Sequence, residues 1–222
     1  MRLLCLHGAG TNSDIFKIQL GPLIHHLLKE DSTYSFEFVD AEVDCPPAEG
    51  IEALYLGPFR EWYTWDFVKR VPPGETVTDA IEGILSIIEE DGPFDGLIGF
   101  SQGCAVASAL LAHYSTLHPY EPQTNLFKFA VFICGSRPFN YDGSELLDAS
   151  VHGQVIQIPT AHVVGKNDPW HKESLGLYSL CDGQSAKLYD HGQGHLLPVN
   201  QNTTTIVADM LKYTASRAFL TC

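Results

Sequence analysis

The chain has 222 residues, 45% hydrophobic and 18% charged, which is enough to bury a core without staples and too apolar for a disordered chain. Thirteen Lys+Arg against 27 Asp+Glu give a net charge of −14, which argues against a nucleic acid or an anionic membrane as partner, since both demand a basic face. Six scattered cysteines (Cys5, Cys45, Cys104, Cys134, Cys181, Cys222) show no paired short spacing, so neither a disulfide framework nor a zinc site is indicated.

In chain order, apolar runs bounded by Gly, Pro or Asp alternate with helical patterns, the signature of βα units and a parallel sheet. Arg2–Leu6 reads as a buried strand that runs into the loop His7-Gly8-Ala9-Gly10. It leaves no room for a leader peptide, and no apolar stretch is of membrane-spanning length, so a cytoplasmic protein is expected. Ile15, Gln19, Leu20, Leu23, Ile24, Leu27 and Leu28 recur at helical spacing, and Tyr34–Val39 alternates as a strand does. Thr76–Glu90 is an amphipathic helix stopped by Asp91-Gly92-Pro93. Gly96–Phe100 is a short buried strand, with an Ala-rich helix over Gly103–Tyr114 directly behind it. Phe127–Cys134 and Ala161–Gly165 are further strands, Ser185–Tyr189 is a weaker one, and Thr203–Tyr213 is a closing helix. Cys5, Cys104 and Cys134 lie inside apolar runs and read as small buried hydrophobes.

Two segments break this rhythm. Residues 40–75 carry Pro46, Pro47, Pro58, Pro72 and Pro73 together with Tyr55, Phe59, Trp62, Tyr63, Trp65 and Phe67. A stretch that long inside one domain reads as a lid or pocket insertion, with Trp62 and Trp65 as candidate substrate contacts, or as a plain loop packed by its own aromatics. Arg60, Lys69 and Arg70 give it a basic hint that reads as a solvated face. Phe139–Gln157 is of mixed polarity and gives no strong signal.

The chemistry concentrates in Gly99-Phe100-Ser101-Gln102-Gly103, a G-x-S-x-G pentapeptide between a buried strand and a helix. That context marks a nucleophile elbow, where small flanking residues let strand and helix approach and the helix N-terminus faces a developing oxyanion. A serine hydroxyl needs a base. His195, in the glycine-broken loop 191–196 between the last strand and the last helix, fits that role better than His191. The acid that orients the imidazole is assigned to Asp168, after the strand Ala161–Gly165, ahead of Asp182 and Asp190. Oxyanion donors are expected from the N–H of Gln102 and from the loop after the first strand, at Ala9 with Gly10 as the alternative. The order Ser, acid, His is that of α/β-hydrolases, so one domain over 1–222 with a mostly parallel central sheet and helices on both faces is expected.

The stretches Leu4-Cys5-Leu6-His7-Gly8, Phe38-Val39-Asp40-Ala41, Gly57-Pro58 with Trp62, Gly99–Gly103, Gly165-Lys166-Asn167-Asp168 and Gly194-His195 resemble the fungal serine hydrolase family. That family includes trans-acting thioesterases of polyketide pathways and an ovarian-tumour-associated human relative. The resemblance spans nearly the whole chain. It implies cleavage of small-molecule carboxylic esters or acyl thioesters with no metal or organic cofactor. It also implies, for members encoded with polyketide synthases, release of an acyl chain from an acyl carrier domain. The rival readings are a general carboxylesterase for small or lipid esters and a catalytically silent binding module on the same fold.

Overall fold

The computed structural model describes residues 1–220 apart from Phe67, Arg70 and Pro198. Phe67, Arg70 and Cys222 of the sequence reading lie outside the described residues. In chain order the elements are β1 (Arg2–Leu6), α1 (Ser13–Glu30), β2 (Ser35–Val39), β3 (Val43–Asp44), β4 (Arg60–Glu61), α2 (Glu75–Asp91), β5 (Gly96–Phe100), α3 (Gln102–Leu117), β6 (Phe129–Ile133), α4 (Ala149–His152), β7 (Thr160–Val164), α5 (His171–Ser179), β8 (Lys187–Asp190) and α6 (Gln201–Leu220).

Six strands form one parallel sheet in the order β2-β1-β5-β6-β7-β8. The three strands β5, β6 and β7 are buried throughout, as parallel strands covered on both faces must be. Strand pleating sends alternate side chains to opposite faces. Leu4, Leu6, Leu97, Ala130 and Phe132 meet α2 and α3, whereas Leu3, Cys5, Ile98, Phe129 and Val131 meet α1 and α6. Each fully buried Leu or Ile contributes roughly 1.5–3 kcal/mol relative to exposure, so these two layers carry most of the driving force for folding. The expected α/β-hydrolase architecture, a parallel sheet with helices on both faces, is therefore present.

Local signals set the element ends. Asn12 caps α1 by accepting the Ile15 N–H at 2.8 Å, and Gly92 ends α2 by donating its N–H to Ile88. Val77, Ile81 and Ile84 form the buried stripe of α2. Strand order reverses between β1 and β5, and that switch point is where open α/β sheets place their ligands. The loops that leave β1 and β5 meet there.

The 40–75 segment is stitched down at its base. β3 pairs antiparallel with β4, Gly10 donates its N–H to the Arg60 carbonyl at 2.9 Å, and Arg60 donates back to Thr11 at 2.7 Å. Of its basic residues, Arg60 is paired to Asp44 at 2.8 Å and Lys69 to Asp66 at 3.0 Å. Within 139–157 the regular structure is the short helix α4, a bridge between Phe139 and Leu146 and a bridge from Ile156 to Cys181. Among the described residues, no helix is long and apolar enough to cross a membrane.

Candidate active site

Ser101 sits between β5 and α3 with φ 52° and ψ −117°, a left-handed conformation that a non-glycine residue adopts only under strain. The turn is possible because of what surrounds it. A Cβ at Gly103 would collide with the carbonyls of Leu6 and His7, and one at Gly99 would sit 2.8 Å from the Cys104 nitrogen. The Ser101 N–H donates to Ile133 at 3.0 Å, which fixes the turn against β6.

His195 reaches this serine from the far end of the sheet. Its Nε2 lies 2.9 Å from Ser101 Oγ and its Nδ1 2.8 Å from Asp168 Oδ2. The other carboxylate oxygen accepts the Trp170 N–H at 2.7 Å. Asp168 is 5% exposed. Burial pushes its carboxyl up, but the bonds from His195 and the Trp170 N–H outweigh that, and the net effect holds it below the usual carboxylate range. An anion fixed behind an imidazole whose other nitrogen meets a hydroxyl is an arrangement that can take the hydroxyl's proton and return it.

The competing residues are engaged elsewhere. His191 accepts the Gln193 N–H on Nδ1 at 3.2 Å and turns Nε2 to Cys134 Sγ at 3.7 Å. Asp182 accepts the hydroxyl of Ser185 at 2.8 Å just beyond α5. Asp190 ties two loops by accepting the N–H groups of Lys166 and Gly192. Cys134 borders the site with φ 47°, and burial, with Asp168 nearby, pushes its thiol up to about 12, so it stays protonated. Its Sγ, Asp168 and His195 form the one cluster of three potential metal ligands found among the described residues, and two of those donors are bonded to each other.

A hollow of about 430 Å³ opens over Ser101, bordered by Ala9, Gln102, Tyr63, Trp65 and Trp170. Trp65 thus stands where a substrate contact was expected. Trp62 does not. It is 5% exposed, lines a separate hollow beside α2, and donates its indole N–H to the His7 carbonyl at 2.8 Å. The expectation for Trp62 is corrected to a packing role, because the segment turns that ring inward over the first loop. Trp170 was missed as a wall residue, although its place two residues beyond Asp168 on a loop that ends at the site was a usable signal.

The first loop is held by a buried histidine. His7 Nδ1 donates to the Gly8 carbonyl at 2.8 Å and Nε2 accepts the Ala41 N–H at 3.1 Å, which requires the neutral ring. Burial lowers its pKa accordingly.

A parallel sheet with a serine on a strained strand-to-helix turn, bonded to a histidine that is itself bonded to a buried aspartate, defines an α/β-hydrolase of the serine type. The chain belongs to the family described as Serine hydrolase (FSH1), whose model matches residues 1–207. It is similar to "Esterase FPY3" of Fusarium mangiferae, 36% identical over 204 residues that cover 89% of this chain and 88% of the relative. It is also similar to "Hydrolase phiM" of Talaromyces stipitatus, 36% identical over 205 residues covering 89% and 81%. A crystal structure of a carboxylesterase from Mesorhizobium loti matches with a TM-score of 0.61 at 17% identity, over 96% of this chain and 88% of that one, a likeness of fold.

Proposed function

We propose that the protein cleaves carboxylic acyl esters or thioesters through an acyl-enzyme on Ser101, with His195 as base and then acid and Asp168 as its orienting carboxylate. The unbroken hydrogen-bond chain from Ser101 Oγ through His195 to Asp168, at 2.9 and 2.8 Å, carries this reading. His195 takes the serine proton as Oγ attacks the acyl carbon, then gives it to the leaving alcohol or thiol. Water repeats the cycle on the acyl-enzyme and regenerates the free serine.

The oxyanion would be held by the N–H of Gln102, which opens α3 and so has no intrahelical acceptor, and by that of Ala9. Commitment of the Gly10 N–H to Arg60 favours Ala9 over its neighbour. The 40–75 segment supplies a pocket wall through Tyr63 and Trp65. That aromatic wall supports a bulky acyl group, and the esterase names of relatives support an ester-type bond. The finer reading is release of a polyketide acyl chain from a carrier domain, in the cytoplasm.

One observation favours a general carboxylesterase for small neutral esters instead. Glu49 and Glu61 border the hollow of a chain carrying −14, which opposes the phosphate of a carrier's prosthetic arm. Three acyl donors with one acyl group separate the two: a carrier-loaded thioester, its N-acetylcysteamine thioester and its p-nitrophenyl ester. Carrier release requires the loaded domain to be turned over with the highest kcat/KM. Preference for the free ester would leave the general carboxylesterase. Failure of a fluorophosphonate probe to label Ser101 would sink both.

A further inference from the structure

The hollow at Ser101 does not end the cavity system. Trp65 and Trp170, with ring centroids 6.0 Å apart and planes at 50°, wall it and also form one side of a second hollow of about 720 Å³. The two are neighbours across one pair of indoles. Beyond the indoles, the apolar part of the second hollow is built by Pro72, Phe139 and Leu146. Phe139 is 4% exposed and locked edge-on by Trp65 at 5.2 Å and by Tyr63 at 5.9 Å. The ring orientations along this strip are therefore set by one another before any ligand arrives. The rest of the lining is polar. It comprises Ser144, Glu145 and Lys172, and Arg137, whose guanidinium is already bonded to Glu173 at 2.8 Å and to Asp148 at 2.7 Å.

We propose that this second hollow is a distal acyl subsite. An elongated acyl group, flat and unsaturated or aromatic along its length and oxygen-bearing at its far end, runs from Ser101 past Trp65 and Trp170 into it. The inference rests on the acyl-enzyme reading above. Pre-oriented rings reward a flat π-system by offset or edge contacts that a saturated chain cannot make. A plain hydrocarbon end would strip water from the Lys172 ammonium with no bond in return, whereas a hydroxyl or carbonyl oxygen replaces it.

The test compares p-nitrophenyl esters of acetate, decanoate and a hydroxybiphenyl-acrylate. Wild type is expected to favour the arylacrylate over both others in kcat/KM. In Ser144→Trp and Lys172→Trp, each placing an indole in the hollow from an exposed position on its rim, the arylacrylate-to-acetate ratio is expected to fall roughly tenfold. Thermal melting shows which variants are folded, and the wild-type preference needs neither of them. Equal use of decanoate and arylacrylate by wild type, or an unmoved ratio in a folded variant, overturns the subsite while leaving Ser101 chemistry standing. Absence of hydrolysis of all three esters, or a Ser101→Ala protein as active as wild type, brings down the acyl-enzyme reading and the subsite with it.

Discussion

The side-chain carbonyl of Gln102 accepts the backbone N–H of Trp62 at 2.7 Å, while the same amide donates at 2.7 Å to the backbone carbonyl of Tyr63. The residue that follows Ser101 thus grips the aromatic segment by its main chain. Trp62 in turn bonds to His7, so the turn at Ser101, the 60–65 segment and the first loop close into one ring of contacts.

Gln102→Glu keeps the acceptor but sets a carboxylate oxygen against the Tyr63 carbonyl. Unfolding free energy is expected to drop by about 1–3 kcal/mol, the cost of a broken and unsatisfied bond. Urea denaturation beside wild type measures it, and an unchanged midpoint would mean the grip carries no weight.

Ser101→Ala removes the attacking oxygen with little change in volume. Turnover is expected to fall by several orders of magnitude, on the order of a thousandfold or more, with labelling by a fluorophosphonate abolished. A folded variant that still hydrolyses its ester at the wild-type rate would require another nucleophile.

Asp168→Asn leaves the shape intact but upsets the tautomer that His195 presents to the serine. On the order of a thousandfold loss in kcat is expected, with Asp182→Asn nearly silent because the Asp182 carboxylate accepts from Gln184 and Ser185 of its own turn. Steady-state kinetics on the two variants decides between them, and the reverse pattern would move the acid.

Acid should unfold the protein before its carboxylates alone would. His162 is buried between the rings of Phe132 and Tyr178, and burial lowers its pKa to about 3. His7 is lowered for the same reason. The unfolded chain titrates its histidines near about 6.5, so below that pH it binds protons that the native state refuses. Stability is therefore full above about 6.5 and lost progressively as pH falls from there toward the folded values. Urea midpoints from pH 7 downward check the slope, which should be shallower in His162→Asn. A flat wild-type profile between pH 7 and 5 would contradict it.

The central strands were legible because a parallel strand covered on both faces has to be apolar throughout, and Gly96–Phe100 and Phe129–Ile133 are. The helices showed through their spacing, the turn at Ser101 through its two glycines, and the family through motifs spread over the chain. The edge strand β8 was faint because half-exposed strands carry mixed residues. Other choices waited for tertiary structure. His191 and His195 share one glycine-broken loop, and the ring that serves Ser101 is the one that meets Asp168, 27 residues away. Ala9 and Gly10 are adjacent, and what separates them is the Arg60 carbonyl that takes the Gly10 N–H. Trp62 and Trp65 stand three residues apart, yet one is core and the other wall, because Gln102 holds the Trp62 N–H from 40 residues away and the Tyr63 carbonyl with it. In each case the deciding partner is distant in sequence. Residue spacing encodes which face of an element is apolar, and it holds no record of which remote carbonyl or amide will meet a given loop.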